Sequence, residues 1–131
     1  MISIDGSQLT TYAQTTAPKL KPKIRMIAWT EIRKGAFEAE RRVKIQMPVD
    51  TGRARASWGH SAPPALPADG IWIEDEDNLM IVEGTRVDYV QYLNEGSSRQ
   101  APAGFIDAIS EAVNESVNAA IADAINKGLG Q

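Results

Sequence analysis

IRMIAWTEIRKGAFEAERRVKIQ, residues 24–46, is the stretch that decides the fold. Its apolar positions Ile24, Ile27, Ala28, Ile32, Ala36, Ala39 and Val43 recur at three- and four-residue steps, which places them on one face of a long helix. Met26, Trp29 and Phe37 widen that stripe, while Arg33, Lys34, Glu38, Arg41 and Lys44 fall largely on the other side. Pro48 cannot continue the helical ladder and ends it.

Working outward, a second helical period runs through Phe105, Ile106, Ile109, Val113, Val117, Ile121, Ala124 and Ile125, with Pro102 near its start. Asp107 and Glu111 stand early and Lys127 late, as the helix dipole favours, and Gly128 is expected to stop the helix. Between the two helices, residues 71–74 and 79–84 are β-rich runs separated by Asp75-Glu76-Asp77-Asn78, which predicts a hairpin with an acidic turn. That turn lacks the ligand spacing of a calcium-wrapping loop and reads as solvated. Ile2 and Ile4 alternate with polar neighbours, so a short strand or extended arm precedes about two helical turns through Leu9 and Tyr12. The expected class is α+β: a small antiparallel sheet packed against a long helix in the N-terminal half and a C-terminal helix. One domain spanning 1–131 is expected, with a flexible N-terminal arm over about 1–20 and a proline-rich loop over about 61–70.

Composition narrows the chemistry. The chain has no cysteine, which removes disulfides and thiolate chemistry, and His60 is its one histidine, which removes most zinc and acid–base constellations. No catalytic, cofactor-binding or metal site is assigned. Neither a signal peptide nor a membrane span can be drawn, so synthesis in a cytoplasm is expected. Net charge is −3, unevenly divided: residues 19–55 hold eleven bases against four acids, and residues 56–131 hold three bases against twelve acids. Unlike charges on two parts of one subunit suit head-to-tail contact between copies, and two solvated faces are the plain alternative.

The segment after the first helix, Met47-Pro48-Val49-Asp50-Thr51-Gly52-Arg53-Ala54-Arg55-Ala56-Ser57, predicts a turn leading into a strand at Ala56–His60. Gly52 supplies the positive φ and Asp50 accepts backbone N–H bonds in that turn. Arg53 and Arg55 are expected to reach a neighbour's acidic surface, with Glu74, Glu76, Glu83 and Glu95 as partners. Trp58, Trp72, Tyr89 and Tyr92 are candidate interface anchors, with core packing as the competing role. Residues 89–96 read as a short helical turn stopped by Gly96.

In this order the segments resemble the tail-completion, or head–tail joining, family of tailed bacteriophages. Pro48, Val49, Asp50, Thr51, Gly52, Arg53 and Ser57 fit its first motif. Gly84, Thr85, Tyr89, Tyr92, Glu95 and Gly96 fit its second, and Pro102 with Phe105 fit its helix start. Ala54 and Val90 replace the usual Leu and Ala. The resemblance implies a non-enzymatic virion protein of the neck, assembled in the host cytoplasm into a homo-oligomeric ring, most simply of six copies. Implied partners are a head-side connector or stopper and the tail tube or tail terminator, with DNA crossing the lumen without specific binding. A tail terminator ring is the alternative of the same class.

Two readings of other classes are weaker. A DNA-binding module over 19–55 lacks an accompanying helix-turn-helix, zinc or basic-zipper signature. Asp50-Thr51-Gly52 echoes a homodimeric aspartic protease, yet it follows a helix and Pro48, and Arg53 and Arg55 would depress a carboxyl pKa. Pairing of Ser57 with His60 as a hydrolase lacks a nucleophile elbow.

Overall fold

The computed structural model describes residues 2–5, 22–47, 52–87 and 104–129. Six elements follow in order: β1 (Ile2–Asp5), α1 (Pro22–Gln46), α2 (Arg53–Ala56), β2 (Gly70–Asp75), β3 (Met80–Thr85) and α3 (Phe105–Leu129). The expected α+β class is what the chain adopts: a three-stranded antiparallel sheet, ordered β1-β3-β2, with the two long helices against it.

Pro22 opens α1, where the missing N–H costs no hydrogen bond. The sequence period is borne out along the core stripe, where Ala28, Ile32, Ala36, Ala39 and Val43 are all buried. In α3, Phe105, Ile106, Ile109, Val113, Val117 and Ile121 are buried in turn. Gly128 does not end α3, which runs one residue further to Leu129. A glycine one position from a helix end costs only about 1 kcal/mol relative to alanine, too little to stop a helix whose earlier turns are packed.

Register sets the faces of the sheet. Ile2 and Ile4 pair with Glu83 and Ile81, and Trp72 and Glu74 pair with the same two residues from the other side. Direct partners share a face, so Ile2, Ile4, Trp72, Ile81 and Glu83 all point to the helices. Residues 2–5 are therefore a paired strand rather than an arm, with Ile2 and Ile4 buried because they meet this core. The helical turns expected near Leu9 and Tyr12 lie outside the described residues. The hairpin forms as expected, and Asp75 stabilises its acidic turn by accepting the Asn78 N–H at 3.2 Å.

The helices meet closely at Gly35, whose missing side chain matters: a Cβ there would overlap Val117 Cγ2 of α3 and touch Val113 and Ile4. α1 runs antiparallel to β2 along the other flank. Arg25 donates to the carbonyls of Glu76 and Asp77, Arg33 pairs with Glu74 at 3.0 Å, and Phe37 packs on Trp72. α3 lies over β1, where Asn114 Nδ2 donates to the Ser3 carbonyl at 2.9 Å.

Candidate functional site

The exit from α1 carries the motif residues, and it folds differently from the expected strand. Gly52 does take a positive φ, +76°, and the Ala56 N–H donates to its carbonyl at 3.0 Å, so Arg53–Ala56 close one helical turn. Gly59 has φ +62° and reverses the chain again. Between these two left-handed hinges Ser57 and Trp58 are both buried, at 0% and 1% exposure. A strand would have sent consecutive side chains to opposite faces, and the hinges override that alternation.

Arg53 and Arg55 are used within the subunit. Arg55 donates to the carbonyls of Ile45 at 3.3 Å and Met47 at 3.0 Å, satisfying acceptors that the end of α1 leaves open. Arg53 lies against Asp69, with contacts of 3.4 and 3.5 Å. Asp69 also accepts the Leu66 N–H at 2.9 Å, and that bond, with Arg53 behind it, lowers its carboxyl pKa. Both arginines therefore have partners within the subunit, while Arg53 keeps about half of its side chain exposed. The acids named for them change as well: Glu83 is fully buried and Glu74 is paired with its own Arg33. Pro48, Asp50, Thr51, Tyr89, Tyr92 and Glu95 lie outside the described residues, as does the helical turn expected at 89–96.

The proline-rich loop is folded. It contains two turns, Ala65 and Asp69 are buried in it, and Ser61 Oγ donates to the Pro67 carbonyl at 2.9 Å. Arg86 ties it to the sheet by donating to the carbonyls of Ala68 and Gly70, each at 3.1 Å. Thr85 Oγ1 bonds Ser57 Oγ at 2.9 Å, joining the loop, the hinge and β3.

Beneath the hinge sits a group that sequence reasoning treated as an exposed acid. Glu83 is 0% exposed, and its Oε1 accepts the Trp58 indole N–H at 3.0 Å. Among the described residues its Oε2 has no hydrogen-bond partner. Burial pushes the carboxyl up to about 8; the Trp58 N–H opposes this, Glu40 adds to it, and Lys44 opposes it weakly. The side chain is a neutral acid at neutral pH, serving as a structural acceptor. A signal for it existed: Glu83 shares the parity of Ile81 on β3, so a strand with Ile81 inside must also bury Glu83.

Around this node the surface is aromatic and basic. Glu40 Oε2 accepts the His60 backbone N–H at 2.7 Å and faces its Nδ1 at 2.8 Å, and Lys44 Nζ donates to the His60 carbonyl. The held imidazole stacks on Phe37 (5.7 Å between centroids, 4° between planes) and lies 4.3 Å from the Trp72 ring. Of the candidate anchors, Trp58 is core and Trp72 is partly buried. Ser57 and His60 engage Thr85 and Glu40 respectively, so the two side chains are held in separate hydrogen bonds.

Among the described residues no group of three or more histidines and acids could hold a metal ion, and no helix is long and apolar enough to cross a membrane. In comparisons with known proteins, no family model, no curated protein and no solved structure matches the chain.

Proposed function

We propose that this chain is a structural subunit of the neck of a tailed bacteriophage, forming a ring that joins the head connector to the tail around the DNA passage. The observation that carries the reading is the order of three motif segments, Pro48–Ser57, Gly84–Gly96 and Pro102–Phe105, in one short chain. The division of charge supports it: α1 holds seven bases against three acids, while α3 holds four acids against one base. A heterologous ring needs two unlike patches on each subunit, and opposite charge is one way to build them. In this reading the protein works in the virion, with a head-side connector or stopper and the tail tube or terminator as neighbours, and performs no catalysis. Pro48, Asp50, Thr51, Tyr89, Tyr92 and Glu95 belong to the segments that would set its contacts.

Deletion of the gene from its phage, followed by complementation from a plasmid, tests the proposal. Unjoined full heads and finished tails, restored to whole particles by the wild-type chain, are the expected result. Tails of uncontrolled length would assign it to the terminator layer instead. Normal particles without the gene would overturn the proposal.

A further inference from the structure

The two helices lie side by side, and the groove between them shows which flanks face each other. Glu31, Lys34, Gly35, Glu38 and Arg42 line it from α1, and Val113, Ser116, Val117 and Ala120 from α3. The opposite flank of α1 therefore looks away from α3. It carries Phe37, 46% exposed, beside His60 and Trp72, with Met26, 64% exposed, on the same helical stripe. Arg33 and Arg41 are exposed neighbours of Phe37 on that helix. Their present partners, Glu74 and Glu38, hold them at the surface in pairs that water screens strongly.

The flank of α3 that looks away from α1 has the opposite character. Glu111 and Glu115 are exposed there, and Ala122, two turns beyond Glu115 on the same stripe, is exposed and small. The surface is low in relief and acidic, so it can receive a projecting ring and pair with cations at the same time. The aromatic–basic flank and the acidic flank sit at opposite ends of the two-helix layer. That placement suits a heterologous contact that repeats from copy to copy, and it suits a two-fold contact poorly.

We propose that the α1 flank centred on Phe37, Arg33 and Arg41 docks against the α3 flank centred on Glu111 and Glu115 of a second copy of this chain. The proposal rests on the ring reading and specifies which faces close the ring. Phe37 is the apolar anchor, and the two arginines fix the register against the two glutamates.

The absence of cysteine makes the test direct. A chain carrying Thr30→Cys and Ala108→Cys, exposed positions one turn before Arg33 and Glu111 that leave the anchor and both charge pairs in place, is expected to give, with a short bis-maleimide, a ladder of covalent oligomers on a denaturing gel up to the ring size. Arg33→Glu with Arg41→Glu, and separately Glu111→Arg with Glu115→Arg, should each lower oligomer yield by about tenfold or more, since two like-charge contacts replace two attractive ones. All four changes in one chain should recover it. Native mass spectrometry of the purified chain and of isolated necks reads the oligomer independently. A ring that forms without cross-links and ignores both reversals overturns this contact and leaves the ring reading standing. A ladder that stops at two overturns the head-to-tail geometry. Monomer in solution and in particles overturns the ring reading and this contact together. Retention of single-stranded DNA that Arg33→Glu with Arg41→Glu abolishes, with oligomers unchanged, would make nucleic acid the occupant and overturn the proposal.

Discussion

Replacing Glu83 by Gln should remove a pH dependence that the wild-type fold carries in one buried carboxyl. Unfolding returns the side chain to an ordinary value near 4.5, while the folded environment holds it at about 8. The folded state therefore keeps a proton that the unfolded state gives up. Its contribution is complete below about pH 4.5, declines as pH rises through the interval to about 8, and is lost above that. Within the interval the slope is about 1.4 kcal/mol per pH unit, so by pH 7 the loss is on the order of 3 kcal/mol. That is a large share of a domain stability of roughly 5–15 kcal/mol.

Gln keeps an oxygen for the Trp58 indole and cannot ionise. Its amide N–H₂ meets the same unpartnered position that Oε2 occupies, at a cost of about 1–3 kcal/mol, so the variant should match or trail wild type at pH 5. Urea unfolding of both proteins at pH 5, 6, 7 and 8 isolates the term, because every other titrating group cancels in the difference. The stability of Glu83→Gln relative to wild type should rise by about 1.4 kcal/mol per unit across that range. A difference that stays flat with pH would refute the buried neutral acid.

Gly35→Val should destabilise the fold by about 1–3 kcal/mol through overpacking against Val117, with Val117→Ala in the same chain recovering part of the loss in thermal melts. Gly59→Ala combines a positive φ with a clash against the Glu40 carboxylate that holds His60; it should cost about 1–3 kcal/mol and broaden the His60 ring resonances in NMR spectra. Arg55→Ala leaves the Ile45 and Met47 carbonyls without their donor, and should cost about 1–2 kcal/mol and speed amide exchange in the last turn of α1.

The helices, the hairpin and the β1 strand were legible because burial writes a period into the sequence. Ile32, Ala36, Ala39 and Val43 repeat with the helix, and Ile2 with Ile4 alternates with the strand. What escaped was set by contacts that periodicity does not encode. The internal partners of Arg53 and Arg55 were not legible, because a local string cannot show the Asp69 carboxylate or the open carbonyls of α1. The strand expected over residues 56–60 does not form, because two glycines in left-handed conformation turn Ser57 and Trp58 inward together. Glu83 was hidden by its charge: an acid in a strand is ordinarily placed outside, and only the parity shared with Ile81 argues otherwise. The proline loop lacks any period, and its order comes from hydrogen bonds to Asp69 and Arg86, which lie at or beyond its end.

In the proposed role, many copies of this chain form one closed layer between head and tail. Electron cryo-microscopy of intact particles, with the chain located by a fused tag density, measures both the axial position and the copy number. Six copies in a closed ring between the connector and the tail tube are expected. A position elsewhere in the particle, absence from it, or a single copy at the neck would contradict the account.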